Sequence, residues 1–172
     1  MTEGLCAGTP RPARHSAVLG ISARTDYAVR AMLALADARA EGLARTSAEQ
    51  LAQGQGLPRK FLEAILLELR VAGLVTSRRG PRGGYVLARP APDITLGDVF
   101  RAVDGPLAEV RGLRPQDTAY EGVAEHLPAL WVAVRSSLSG VLDGTSLQDL
   151  LDGDLPPHVA RLVEQPDSWG GR

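Results

Sequence analysis

From Ser22 onward, apolar residues recur at the spacing of one helix face: Ala28, Ala31, Met32 and Leu35. Ser22 is placed to cap this helix, and the pattern fades near Ala40, before Glu41-Gly42. Thr46-Ser47-Ala48-Glu49 has the form of a capping box, with the threonine oxygen expected on the N3 amide and Glu49 reaching back. It predicts a short helix carrying Leu51 and Ala52 that stops at Gly54 and Gly56. Pro58 falls where a first helical residue favours proline, since that N–H has no partner inside the helix. The helix it opens places Leu62, Ile65, Leu66 and Leu69 on one face and ends at Gly73. Two short helices joined by a glycine-containing turn outline a helix-turn-helix.

Leu74–Ser77 and Tyr85–Leu87 then read as two short strands, with Arg78-Arg79-Gly80-Pro81-Arg82-Gly83-Gly84 between them. Glycine and proline make a turn, so this is a hairpin with an arginine-bearing tip. Pro90 and Pro92 break the chain before a capped helix from Thr95 to Val103, with Asp98 three residues past the threonine, closing at Asp104-Gly105-Pro106. Residues 107–122 are polar and irregular. Beyond them Leu127, Leu130, Trp131, Val134, Leu138, Val141 and Leu142 share the face of a helix entered through Pro128. Thr145-Ser146-Leu147-Gln148 opens a short last helix, and the tail from Asp152, rich in proline, glycine and acids, is expected to be loose.

The fold class implied is mainly α with a small β-hairpin wing: a winged helix-turn-helix plus a long C-terminal helix. The divisions expected are a disordered extension over 1–20, a winged-helix domain over 21–106 and a linker over 107–126. A long helix and a closing helix over 127–151 and a loose acidic tail over 152–172 complete the chain.

Charge sharpens this picture once it is divided by region. The net charge of −1 conceals seven basic and two acidic side chains over residues 58–89, against six basic and thirteen acidic over 93–172. A polyanion is drawn to the middle of the chain and repelled by its C-terminal part. No apolar run approaches the roughly 18–20 residues needed to cross a bilayer, and no signal-peptide pattern opens the chain, so a cytoplasmic location is expected. Cys6, the single cysteine, excludes an internal disulfide framework and reads as an inert thiol in the extension. His15, His126 and His158 lie far apart, and no nucleotide loop, dinucleotide fingerprint or His-Glu metal motif occurs, so an enzyme is not expected.

A helix-turn-helix delivers the start of its second helix into the major groove. Here that start is Pro58-Arg59-Lys60-Phe61, with Glu63 and Ala64 one turn on. Arginine can grip guanine in a bidentate fork, lysine can reach guanine or phosphate, and phenylalanine can meet a thymine methyl or serve as core. Arg78, Arg79 and Arg82, spaced by glycines that let the backbone approach, suit a phosphate track or a minor groove. A basic wing could instead meet an acidic protein partner, a reading that sequence-selective, salt-sensitive DNA binding would exclude.

Thr25-Asp26-Tyr27-Ala28-Val29-Arg30-Ala31, Leu57 to Leu69 around Phe61-Leu62-Glu63, and Ala72-Gly73-Leu74-Val75 resemble the Rrf2 family of bacterial transcription regulators. So do Arg79-Gly80-Pro81-Arg82-Gly83-Gly84-Tyr85, Ile94-Thr95-Leu96 and Val103-Asp104-Gly105-Pro106-Leu107, and further on Leu130-Trp131 and Thr145 to Leu151. The resemblance implies a repressor acting on a two-fold related double-stranded DNA operator. It implies a homodimer paired through Leu127, Leu130, Trp131, Val134, Leu138 and Val141. It also places Pro58, Lys60, Phe61 and Ala64 at base-facing positions, with Arg79 and its neighbours, Gly83 among them, in the wing at the minor groove. Many family members carry three cysteines before the long helix that hold an iron–sulfur cluster. Residues 107–127 here contain none, and His126 beside Glu125 and Glu121 reads as an exposed helix-start residue, so no cluster, metal or other cofactor is expected. The signal is then expected to be a small molecule or a partner protein acting at residues 107–126.

Overall fold

The computed structural model describes residues 20–80 and 83–170; the extension expected over 1–20 lies, but for Gly20, outside them. Helix α1 (Ala23–Ala40) is capped by Ser22, whose hydroxyl accepts from the Thr25 amide at 3.1 Å. Helices α2 (Ala48–Gln55) and α3 (Arg59–Val71) form the helix-turn-helix, joined through Gly56 at φ 63°. Strands β1 (Val75–Arg78) and β2 (Gly84–Leu87) pair antiparallel, with Val75 opposite Leu87 and Arg78 opposite Gly84. Helix α4 (Leu96–Val103) follows, then α5 (Leu127–Leu142), α6 (Leu147–Asp152) and α7 (Pro157–Val163).

One core joins these elements. Ala28, Ala31, Met32 and Leu35 of α1 meet Leu62, Ile65, Leu66 and Leu69 of α3, all essentially sealed from solvent. Leu51, Val75, Leu87, Ile94 and Val99 close the remaining sides. Thr25 is fully buried at the start of α1, and its hydroxyl donates to Asp104 at 2.5 Å, tying α1 to the end of α4. Leu147 is equally buried, so α6 returns to this core: the Leu147 amide donates to the Ile94 carbonyl at 3.0 Å, and the Leu96 amide to the Thr145 carbonyl at 2.9 Å. Helix α5 differs, since none of its sixteen residues is buried within the chain.

Three expectations shift. In α2 and α6 the capping boxes slip one residue: Ser47 caps with Gln50 rather than Thr46 with Glu49, and Ser146 with Asp149 rather than Thr145 with Gln148. The reason is the same twice. Thr46 is committed to a bridge with Tyr85, and Thr145 donates its hydroxyl to the Val141 carbonyl at 2.8 Å while its own carbonyl receives Leu96, so the serine that follows takes the cap. Pro58 is the residue before α3 rather than its first turn. The tail expected to be loose contains α7, whose Val159 is buried and whose His158 ring nitrogen lies 2.8 Å from the Gly140 carbonyl of α5.

Candidate nucleic-acid interface

Helix α3 buries Leu62, Ile65, Leu66 and Leu69, which leaves Lys60, Glu63, Ala64 and Leu67 exposed on the opposite side. Lys60 and Ala64, one turn apart, thus share the free face. Phe61 stands at its edge: 39% exposed, it packs edge-on against Tyr27 of α1, ring centres 5.7 Å apart and planes at 89°. That contact fixes the ring at the base of the helix while leaving its rim open. Arg30 lies over the other ring of the pair, 6.0 Å from the Tyr27 centre, and donates to the Gln55 carbonyl at the end of α2.

Arg59 is not a free fork. Its Nε donates to Glu63 at 3.0 Å, and its guanidinium lies 3.6 Å from Glu49 of α2. The hydrogen bond to Glu63, then the charges of Glu63 and Glu49, hold this exposed group still more firmly protonated than usual. A base or phosphate reached by Arg59 has to displace two carboxylates, whereas no carboxylate lies within 4 Å of Lys60 among the described residues. The spacing of Arg59 and Glu63 at i, i+4 was the available signal for this pair.

The wing is attached to the start of α2 by backbone. Tyr85 donates to the Thr46 carbonyl at 2.8 Å and accepts from the Thr46 amide at 3.1 Å, an isolated antiparallel bridge that sequence reading did not anticipate. Gly84 makes it feasible: its φ is 144°, and a β-carbon there would sit 2.7 Å from the Thr46 carbonyl oxygen. Gly83, expected at the DNA, also has a steric role, because a β-carbon would come within 2.4 Å of the Arg78 carbonyl oxygen. Arg78 and Arg79 are exposed on the hairpin, Arg78 opposite Gly84. Arg82 lies outside the described residues. The start of α3 and the basic hairpin are thereby held against one frame of α1, α2 and core, with a further tie from Arg70 of α3 to the Ser77 hydroxyl at 3.4 Å.

Between α4 and α5, Val110 and Leu113 exchange backbone hydrogen bonds of 2.9 and 3.0 Å around Arg111 and Gly112. Both central residues have positive φ, 55° and 76°, the geometry of a type I′ turn. Arg111 also lies 5.1 Å from the centre of the Tyr120 ring. None of the candidate dimer residues Leu127, Leu130, Trp131, Val134, Leu138 and Val141 is buried.

Comparison with known proteins places these features in a lineage. A family model named Rrf2 and described as an iron-dependent transcriptional regulator matches residues 21–153. The chain is 46% identical over 144 residues to Rv1287 of Mycobacterium tuberculosis, named as an HTH-type transcriptional regulator, covering 84% of this chain and 88% of that one. It is 38% identical over 130 residues to the HTH-type transcriptional regulator CymR of Bacillus subtilis, covering 76% and 88%. The solved structure of CymR, the global cysteine regulator of B. subtilis, superposes with a TM-score of 0.66 at 36% identity, covering 79% of this chain and 98% of that one.

The family description names iron, and the donor set tests whether iron fits. The segment 107–126 has carboxylates and one imidazole but no thiolate. Asp117 is engaged by Arg114 at 2.6 Å, Glu125 by His126 at 3.3 Å, and His126 points to solvent with its side chain 91% exposed. Among the described residues no three His, Cys, Asp or Glu side chains converge in a way that could hold a metal. An iron–sulfur cluster needs soft ligands, and these residues do not fit one.

Proposed function

The chain belongs to the Rrf2 family of transcriptional regulators, and from that premise we propose that it is a repressor binding a two-fold related operator as a homodimer, without an iron–sulfur cluster. The observation that carries the reading is the backbone bridge from Thr46 to Tyr85, which fixes the basic hairpin at a set distance from the exposed start of α3. A rigid frame of this kind lets one element enter the major groove while the other follows the adjacent backbone. Lys60, Phe61 and Ala64 face the bases. Pro58 sets the angle of entry, Arg59 joins them after release from Glu49 and Glu63, and Arg78, Arg79, Arg82 and Gly83 form the grip. Repression is taken over from the family resemblance.

Dimerisation is supported by α5. A helix with Leu127, Leu130, Trp131, Val134, Leu138 and Val141 along it, and no residue buried by its own chain, leaves apolar surface that a second copy would cover. The DNA sites then stand related by two-fold symmetry.

The test is fluorescence anisotropy on genomic fragments enriched by the protein, at several salt concentrations. Selective binding that falls steeply with salt supports the reading. Lys60→Ala should change which sequences are preferred, whereas Arg79→Ala should weaken all of them and reduce the salt slope by about 1. A protein that enriches no fragment over random DNA contradicts it, and would point to a protein partner for the wing instead.

A further inference from the structure

A cavity of about 190 Å³ opens between the end of α4, the segment around Leu107 and Pro115, and the middle of α5. At roughly 30 Å³ per water it has room for about six waters, or a molecule of about six to ten heavy atoms. Pro106, Leu107 and Pro115 give it apolar walls, and Ser139 adds a hydroxyl.

Three arginines, Arg101, Arg114 and Arg135, and one glutamate, Glu109, also line it. Arg101 is engaged by Asp98 at 3.3 Å and Asp143 at 2.8 Å, and Arg114 by Asp117 at 2.6 Å. The other two groups have no such partner. Arg135 donates to the neutral amide oxygen of Gln116 at 2.6 Å and has no carboxylate within 4 Å among the described residues; Glu109 likewise has no cation. A cation and an anion therefore line one small cavity while staying too far apart to pair with each other. The backbone holds Glu109 in this place. It follows Ala108, at φ 52°, and precedes the Val110–Leu113 turn with Arg111 at φ 55°. Left-handed non-glycine residues are strained, and such strain concentrates at binding sites.

We propose that this cavity binds a small zwitterion of the α-amino-acid class, its carboxylate on Arg135 and its ammonium group on Glu109. The apolar walls receive the side chain, and Ser139 offers a further hydrogen bond. Only the regulatory consequence rests on the function proposed above. Arg101, near the end of α4 in the winged-helix core, lines the same cavity as Arg135 of α5, so a molecule held there sits between the DNA-binding unit and the long helix and changes operator affinity.

The experiment is isothermal titration of the full chain with each of the twenty common L-amino acids, with succinate and butylamine as single-sign controls. The expected result is that one or a few amino acids bind at least tenfold more tightly than either control. Arg135→Gln and Glu109→Gln should each lose at least tenfold in that affinity while keeping the unfolding midpoint of the parent, and Arg135→Lys should lie between. Absence of binding by every amino acid overturns the site. So does succinate binding as tightly as the best amino acid with Glu109→Gln neutral, which describes a plain anion site. Operator affinity measured with and without the bound amino acid separates the two readings. Ligand binding without selective DNA binding sinks the regulator and keeps the site, DNA binding without ligand sinks the site alone, and ligand binding that leaves operator affinity unchanged contradicts the regulatory coupling.

Discussion

Replacing Gly84 with alanine should detach the wing from the helix-turn-helix without unfolding the protein. The added β-carbon would sit 2.7 Å from the Thr46 carbonyl oxygen and 2.9 Å from its carbon, both backbone atoms that cannot rotate away. The φ of 144° adds strain for any residue with a side chain. Relief requires Tyr85 and Thr46 to separate, breaking hydrogen bonds of 2.8 and 3.1 Å. Two such bonds at about 1 kcal/mol each, or backbone strain of about 1–3 kcal/mol if they hold, put the cost at about 1–3 kcal/mol. A domain with a typical margin of about 5–15 kcal/mol survives that loss. Urea unfolding measures the stability change, and hydrogen exchange reports on the Tyr85 and Thr46 amides, which should become fast while those of α1 and α3 stay slow. Operator affinity should fall at the same time. Gly54→Ala is the matching control, because nothing lies within 4 Å of that position in α2; it should stabilise the protein by up to about 1 kcal/mol through helix propensity. Parent-like stability and protected Tyr85 exchange in Gly84→Ala would refute the close-approach argument.

Two further outcomes follow from the packing. Burial pushes the Asp98 carboxyl up, but hydrogen bonds from Arg89 at 3.0 Å, from the Thr95 amide and from Arg101 at 3.3 Å outweigh it and hold the group below the ordinary range. A depressed carboxylate contributes stability above its unfolded pKa and loses it as pH falls through the folded value, so Asp98→Asn should cost about 0.5–1 kcal/mol near pH 7, reduced by the exposure of both arginines. That gap should close in urea titrations as the pH is lowered past about 4, and a gap constant from pH 7 to 3 would refute the assignment. Leu138→Glu on α5 should give a monomer in sedimentation with the winged-helix fold intact by circular dichroism, since no residue of that helix is buried within the chain; a folded dimer would place the interface elsewhere.

Much of this architecture was legible because its signals are local. Helical spacing located α1, α3 and α5, and Ser22 and Thr95 took the caps that their positions suggested. The slips at Thr46 and Thr145 were not legible, since each threonine is claimed by a partner far along the chain, Tyr85 in one case and Leu96 in the other. The role of Gly84 follows from the same long-range bridge and carries no short-range mark. Helix α7 was missed because Pro156, Pro157 and Gly153 dominate its surroundings, yet Pro157 sits in the first turn, where proline costs nothing. At the candidate interface, the basic hairpin and the exposed Lys60 were readable from charge and periodicity, whereas Ala64 was indicated only by the family resemblance. The capture of Arg59 by Glu49 depends on the angle between α2 and α3, which no pattern within either helix encodes.

The most direct test of the central claim is the stoichiometry and footprint of the protein on its selected DNA, measured by analytical ultracentrifugation and hydroxyl-radical protection on the same fragment. The account predicts two chains per site and two protected half-sites related by two-fold symmetry, about one helical turn or a whole number of turns apart. A single chain protecting one asymmetric stretch, or two chains bound with no symmetry in the protection, would contradict it.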